Sequence, residues 1–169
     1  MFIVESERLQ LRQFTLEDTD FIINLLNQPT FIENIGDRGI KTTADAEAYL
    51  NKSILDSYKK YGFGLSMVEL KGSNIAIGMC GILKRDTLDH PDLGYAFLPE
   101  YCGLGYASEI AKSLIQSTKT LYGLEKVLAI TSTENKQSNK LLEKIGFKFV
   151  GMVDAVEGQP ENRLFEMDL

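Results

Sequence analysis

The sequence predicts a mixed α+β fold, an α/β sandwich in which helices pack on a sheet, and three observations lead to this prediction. Of the 169 residues, 44% are apolar and 25% are charged, which is typical of a globular protein. Apolar side chains alternate with a period of two in some segments and recur every three or four residues in others. Glycine and proline residues separate these segments. A chain of this size can bury a core without disulfides, so we expect a single domain over residues 1–169.

The first half of the chain is predicted to form a strand, two helices and three strands. Leu9 and Leu11 alternate with polar residues, as in a half-buried strand, whereas the apolar residues that follow Thr15 recur at helical spacing. Residues 30–42 have no clear period. The predicted elements are, in order, a strand over 8–14, helices over 15–29 and 43–62, and strands over 63–70, 75–83 and 92–98. Short turns join the last three strands, which predicts an antiparallel meander.

The second half of the chain is predicted to begin with a glycine-rich turn and to continue as helix, strand, helix and two strands. Its predicted elements are the turn 102–105, a helix over 106–121, a strand over 126–131, a helix over 135–145 and strands over 147–152 and 163–169. The complete order of elements is therefore βααβββαβαββ, which is a mixed α+β pattern.

Charge and composition argue against several classes of function. The formal net charge of −6 argues against a nucleic-acid partner, which needs clustered Lys and Arg, and is compatible with a cationic ligand such as an amine. Cys80 and Cys102 are too few for a disulfide framework, and one histidine, His90, cannot form a histidine-rich metal centre. The N-terminal residues lack a signal-peptide pattern, and no apolar run is long enough to span a membrane. We expect a soluble, cytoplasmic protein.

The glycine-rich turn is a candidate anion site. Gly103 and Gly105 permit positive φ and present no side chain, and the helix that follows begins with small residues at 107 and 108. Backbone N–H groups and the positive end of the helix dipole would then suit a pyrophosphate, although glycines that serve the turn alone explain the pattern equally well. No glycine is followed by lysine, which excludes a P-loop. A dinucleotide fingerprint would need glycine at Ser108 and an acidic residue after the next strand, whereas Glu125 precedes that strand.

Three motifs in this sequence resemble the GNAT superfamily of acyl-coenzyme A-dependent N-acetyltransferases, and more narrowly its ribosomal-protein N-terminal acetyltransferases of the RimJ/RimL type. The motifs are residues 6–12 with 15–18, residues 92–95 with 99–109, and residues 135–138 with 141–147. They occur in the order and on the elements of that family. The resemblance implies a central splayed mixed sheet with helices on both faces, the fold of acyl-CoA N-acyltransferases.

The resemblance also implies acetyl-CoA as co-substrate and no metal. Acetyl-CoA would lie between the strands that end near Leu98 and Thr131. The residues implied to bind it are Ala96, Phe97 and Leu98 through exposed backbone groups, Gly103, Leu104, Gly105, Tyr106, Ala107 and Ser108 through N–H groups around the pyrophosphate, Asn135 at the pantetheine arm and Ser138 near the thioester sulfur. Helix capping is the alternative for Asn135 and Ser138. Cys102 stands where the superfamily often has Gln or Arg and this branch often has Trp, and Leu104 stands where Lys or Arg is common. Their side chains are therefore not expected to help bind phosphate.

Acetyl transfer to an amine needs a base, a donor to the carbonyl oxygen and a group that discharges the thiolate. The family often has an acidic residue at the position of Asp92, which makes it the first candidate base, with Asp89 and Glu166 as lesser candidates and a surface aspartate as the alternative. A backbone N–H near Phe97 or Leu98 would hold the carbonyl oxygen. Ser138 or Tyr101 would stabilise or protonate the departing thiolate. An acyl-cysteine route through Cys102 would require His90 as base, and a structural thiol is the favoured interpretation.

The second helix and residues 30–42 are expected to wall the acceptor site, with Phe31, Asn34, Arg38 and Tyr49 as contributors. The predicted function is transfer of an acetyl group from acetyl-CoA to a primary amine by direct attack in a ternary complex, most like a protein N-terminal acetyltransferase. The alternatives are an acetyltransferase of small amines (a polyamine, amino acid or aminoglycoside) and a non-catalytic acyl-CoA-binding module. The expected partner is the amine acceptor, and neither nucleic acid nor a membrane is expected to bind. Analogy with the family also suggests a homodimer.

Overall fold

The computed structural model of the protein describes residues 2–156 and 158–169. Within these residues, eight strands form one mixed sheet. The strands are β1 (Val4–Glu5), β2 (Leu9–Gln13), β3 (Leu65–Leu70), β4 (Ala76–Leu83), β5 (Asp92–Phe97), β6 (Lys126–Thr131), β7 (Lys148–Val153) and β8 (Asn162–Asp168). Their order across the sheet is β1-β2-β3-β4-β5-β6-β8-β7, and every neighbouring pair is antiparallel except β5 and β6.

Six α-helices accompany this sheet in the part of the chain that the structure describes. They are α1 (Thr19–Leu26), α2 (Pro29–Asn34), α3 (Thr43–Tyr49), α4 (Asp56–Tyr61), α5 (Tyr106–Tyr122) and α6 (Lys136–Ile145). A π-helical segment, Leu50–Leu55, joins α3 to α4, so the predicted helix over 43–62 is continuous but locally wider. None of the described helices is both long and apolar enough to cross a membrane.

The structure differs from the sequence prediction at two elements. Helix α2 lies in the segment that has no clear period, because Pro29 starts a new helix at its first position instead of only ending the previous one. Phe31 is buried by this helix. The short strand β1 was also absent from the predicted order, since two residues give no measurable alternation.

The helices pack on both faces of the sheet, which confirms the predicted architecture. On one face, α5 and α6 bury Ile110, Leu114 and Leu142 against the sheet. On the other face, α1 and the segment from α3 to α4 bury Leu25 and Ile54. Apolar burial of this kind is the main stabilising contribution to the fold. Two neighbouring strands of the sheet between these helix layers separate at one place, and this gap is relevant to function.

The sheet opens between β5 and β6. These parallel strands are in register at a single pair, Asp92 and Leu128, and the Leu128 N–H donates to Pro91 O at 2.9 Å. Strand β5 pairs with β4 along its whole length, so beyond Asp92 its other edge has no strand beside it. A gap at the carboxyl ends of adjacent parallel strands is a common place for a ligand.

Candidate active site

A cleft of about 940 Å³ occupies the gap between β5 and β6 and reaches both faces of the sheet. Most of the residues predicted from the sequence line it: Phe31, Asn34, Arg38, Tyr49, Asp92, Ala96, Phe97, Tyr101, Gly103, Gly105, Tyr106, Ala107, Ser108, Asn135 and Ser138. Leu98 is buried beside it and Leu104 is exposed, and neither is part of its wall. The candidate bases Asp89 and Glu166 and the imidazole of His90 also lie outside the cleft wall.

The exposed edge of β5 corrects the prediction for two of its residues. The Leu98 N–H donates to Ile77 O at 2.9 Å, and Leu98 O accepts from the Tyr101 N–H, so neither backbone group of Leu98 is available. Backbone groups alternate in direction along a strand, so Ala96 also faces β4, in register with Met79. The backbone groups that face the gap are therefore those of Tyr95 and Phe97. The expectation for Ala96 and Leu98 was wrong by one residue of register.

The glycine turn has the geometry that the sequence predicts. Gly103 and Gly105 have φ of 76° and 82°, which lie in a region that residues with a side chain rarely adopt. The first intrahelical bond of α5 is donated by Glu109 to Gly105 O at 3.1 Å, so the three preceding N–H groups, those of residues 106–108, have no partner within the helix. These groups, at the positive end of a 17-residue helix, can bind an anion.

Arg8 holds this turn, and the sequence analysis gave it no role. Its Nη2 donates to Leu104 O at 3.2 Å, and its Nε donates to Glu109 at 2.7 Å. Its guanidinium also lies 4.4 Å from the centre of the Tyr106 ring. The turn therefore has a cation beside it, although neither Cys102 nor Leu104 supplies one. Arg8 and Glu109 belong to two of the three family motifs, but they are 101 positions apart and no local pattern pairs them.

The Glu109 carboxylate joins the turn before β2 to α5. It accepts hydrogen bonds from Ser6 Oγ at 2.6 Å and from the Arg8 backbone N–H at 2.8 Å. Burial alone would raise the pKa of Glu109, but these hydrogen bonds outweigh it and the pKa is lowered from its ordinary value. The ionised form of Glu109 is thus part of the folded structure around the glycine turn.

Asp92 is a buried member of an ion pair. Its side chain is 1% exposed, and Arg85 Nε lies 3.1 and 3.2 Å from its two carboxylate oxygens. Burial raises the pKa of Asp92, while the positive charge of Arg85 acts in the opposite direction. The structure therefore excludes the interpretation as a surface strand-end aspartate. A carboxylate with a raised pKa at the wall of a cleft can accept a proton near neutral pH.

Two hydroxyl groups meet on the α5–α6 side of the cleft. The Tyr95 hydroxyl donates to Ser138 Oγ at 3.0 Å, and burial raises the pKa of Tyr95 to about 12. Ser138 is placed by Asn135, whose Oδ1 accepts from the Ser138 N–H at 3.2 Å and caps α6. Helix capping is therefore an observed role of Asn135. Ser138 is predicted from the sequence but Tyr95 is not, because only the folded strand directs the Tyr95 side chain toward α6.

The cysteine hypothesis gains no support from the structure. Cys102 Sγ lies 3.6 Å from Leu98 O, to which it donates. Burial and, to a smaller extent, the charge of Glu100 raise the pKa of the Cys102 thiol. The protonated thiol is a poor nucleophile. His90 does not line the cleft and so provides no base there.

The wall of the cleft on the side of helices α1–α4, here called the α1–α4 wall, contains both expected and unexpected residues. It consists of Phe31, Asn34, Arg38, Tyr49, Lys84, Arg85, Asp92, Gln159 and Asn162. Gln159, between β7 and β8, donates to Ile35 O and joins that loop to the end of α2. Asn162 is 6% exposed, and its Oδ1 is buried without a hydrogen-bond partner among the described residues. Arg85, Gln159 and Asn162 were not predicted as site residues, because they belong to no local motif.

Comparisons with known proteins agree with this geometry. The family model for the acetyltransferase (GNAT) domain matches residues 8–148. The chain is 26% identical over 148 residues to the uncharacterized N-acetyltransferase YnaD of Bacillus subtilis (strain 168), which covers 88% of this chain and 84% of YnaD. Its fold is similar to that of RimL, a ribosomal alpha-N-protein acetyltransferase solved with coenzyme A (TM-score 0.86, 14% identity, covering 100% of this chain and 98% of that one).

A chimeric spermidine N-acetyltransferase SpeG, from Vibrio cholerae and hSSAT, is also similar in fold (TM-score 0.78, 18% identity, covering 96% of each chain). The TM-scores show that this chain shares its fold with both solved structures. The family match extends over most of the chain, from the start of β2 to the start of β7. The chain belongs to the GNAT family of acetyltransferases.

Proposed function

We propose that this protein transfers an acetyl group from acetyl-CoA to one primary amine, most like a protein N-terminal acetyltransferase of the RimJ/RimL type. The observation that carries the proposal is the cleft between β5 and β6. One end of the cleft has backbone N–H groups that can bind an anion, and the closed end, where the two strands meet, has the buried carboxylate of Asp92. A CoA-dependent transfer to an amine needs both a site for the pyrophosphate and a base.

The residues around the cleft fit a CoA molecule. The N–H groups from Gly103 to Ser108 would bind the pyrophosphate, with Arg8 beside them. The backbone groups of Tyr95 and Phe97 would pair with the pantetheine amides in place of a missing strand. Because β5 runs from Asp92 toward the glycine turn, this direction of binding leaves the thioester end of CoA near Asp92.

Acetyl-CoA would supply the thioester carbonyl. Residues of the chain would transfer the protons and stabilise the negative charge that develops on the carbonyl oxygen. Asp92, oriented by Arg85, would take a proton from the acceptor ammonium, directly or through water. The N–H of Tyr95 or Phe97, instead of that of Leu98, would stabilise negative charge on the carbonyl oxygen. The hydroxyl pair of Tyr95 and Ser138 would return a proton to the thiolate, because a tyrosine with a pKa of about 12 remains protonated at neutral pH.

The charge of the α1–α4 wall favours an acceptor with one amine over a polycation. Asp92 is the only acidic residue among the described residues that line the cleft, and Arg85 already neutralises it. A polyamine or aminoglycoside needs several carboxylates to compensate its charges. A protein N-terminus carries one amine and needs one carboxylate. An amino acid is the second candidate, because the same wall also contains Arg38, which could hold its carboxylate.

Thermal-shift titration with acetyl-CoA, CoA and NAD tests the cofactor. A ligand at 100 times its Kd adds roughly 2.7 kcal/mol, which raises the Tm of a chain of this size by roughly 5–10 °C. We expect this shift with both CoA species and not with NAD. Mass spectrometry should then detect acetylation of peptides with a free N-terminus and not of the same peptides with a blocked N-terminus. CoA binding without turnover on any amine would instead indicate a non-catalytic module.

A further inference from the structure

The charge of the cleft is opposite to the charge of the chain. The sequence has a formal net charge of −6, yet the described residues that line the cleft include five Lys and Arg residues and one acidic residue. Lys140 and Lys144 lie on α6, on the side where CoA phosphates are proposed to bind. The other three, Arg38, Lys84 and Arg85, belong to the α1–α4 wall, where a CoA-binding role does not account for them.

The guanidinium groups of this wall have unused donors. Arg85 uses Nε for Asp92, and its two Nη atoms make no hydrogen bond with a described residue. Arg38 is exposed to the cleft and pairs with no described carboxylate within 4.0 Å. Lys84 donates only to the backbone oxygens of Arg85 and Leu88. Three positive charges therefore face one carboxylate.

Arg38, Arg85 and Tyr49 line the same wall of the cleft. Tyr49 lines the cleft, and burial raises the pKa of its hydroxyl, while the charges of Arg38 and Arg85 both act to lower it. Both guanidinium charges therefore act on the same part of the cleft wall. Guanidinium groups bind carboxylates and phosphates through paired N–H donors.

We infer that the acceptor is an amine that also carries an anionic group, a carboxylate or a phosphate, and that Arg38 and the free Nη atoms of Arg85 bind this group beside Tyr49. The inference rests on the proposed acetyl transfer and specifies its substrate class. It assigns Asp92 to the amine and the two arginines to the anion, so one wall recognises both ends of the substrate. A polyamine would meet three like charges and would be excluded.

Matched acceptors test this inference. The pairs are β-alanine against β-alaninamide, phosphoethanolamine against ethanolamine, and peptides with glutamate or glutamine after the N-terminal residue. We expect kcat/KM to favour the anionic member of at least one pair by about tenfold or more, and the preferred pair distinguishes a carboxylate from a phosphate and a free amino acid from a protein N-terminus. Equal or better use of the neutral members in all three pairs would overturn the inference.

Variants at Arg38 separate charge recognition from loss of the fold. R38Q should remove the preference because it raises KM for the anionic acceptor much more than KM for the neutral acceptor, and R38K should retain part of the preference. The CoA-induced thermal shift should stay the same. As a control, K59Q removes one exposed positive charge outside the cleft and should change neither the preference for the anionic acceptor nor the CoA-induced thermal shift. An equal loss for both members in R38Q would contradict the assigned role. If acetyl-CoA binds but no amine is acetylated, the proposed function itself fails. If amines are acetylated without a preference for the anionic member, only the inference about the anionic group fails.

Discussion

Replacing Gly105 with aspartate should prevent CoA binding while leaving the fold intact. Gly105 has φ of 82° at the start of α5, and a Cβ built there would lie 3.4 Å from Arg8 Nη2, the flexible end of a side chain. Aspartate and asparagine tolerate this left-handed conformation better than other residues with a side chain. The variant G105D therefore places a negative charge in the proposed pyrophosphate site at a modest cost in stability.

The expected loss of affinity follows from Coulomb's law. Two like charges about 4 Å apart repel by about 4 kcal/mol at an effective dielectric constant of about 20, which corresponds to about a thousandfold increase in Kd. The new carboxylate would also pair with Arg8 and so withdraw the cation that lies beside the turn. G105N has the same shape without the charge, so we expect a smaller loss, of about tenfold, from crowding of the site.

Isothermal titration calorimetry with CoA measures this loss, and a glycine at the other end of the same helix provides the control. Gly123 ends α5 with φ of 68° and has no atom within 4 Å of a Cβ built on it. G123N should therefore carry a comparable backbone cost and leave the Kd for CoA unchanged. A Kd for G105D within about threefold of the wild-type value would refute the assigned phosphate site.

D92N should lower kcat by about 10²- to 10⁴-fold and leave CoA affinity unchanged, whereas D89N, outside the cleft, should do neither. Y95F should lower kcat by about 10²-fold with the ring still packed, and a normal kcat would exclude Tyr95 as the acid. The folded structure lowers the pKa of Glu109 from its ordinary value of 4.5, so Glu109 stabilises the fold above pH 4.5 and this contribution is lost as the pH falls through the folded pKa. Denaturant titrations should therefore show that the unfolding free energy of E109Q falls less on acidification than that of the wild type. N162L removes an unpartnered buried oxygen and one bond of 3.4 Å, so its unfolding free energy should stay within about 1 kcal/mol of wild type, and a loss above about 2 kcal/mol would contradict this.

The sequence predicted the elements whose signal is local. The period of two at Leu9 and Leu11 predicted strand β2, and the glycine-rich turn at 102–105 predicted the start of helix α5, both close to their observed bounds. Helix α2 was missed because six residues with Pro29 at the first position have too few turns for a periodic signal. The π-helical segment at 50–55 was missed because apolar residues four apart fit an α-helix equally well.

The parts of the site that were missed depend on contacts between distant segments. Arg8 reaches Leu104 and Glu109 across about a hundred residues, and Asn162 reaches the cleft only because β8 pairs with β6. The error at Ala96 and Leu98 has a different cause. Both residues lie on the predicted strand, but the direction of their backbone groups depends on the register with β4, which is not encoded in β5 itself.

The most direct test of the account is a crystal structure of the protein with CoA bound. We expect the pyrophosphate within hydrogen-bond distance of the N–H groups between Gly103 and Ser108, and the pantetheine arm beside the backbone of Tyr95 and Phe97 with its sulfur on the Asp92 side of the gap. CoA bound elsewhere, or bound with its pantetheine outside the gap between β5 and β6, would contradict the proposed active site.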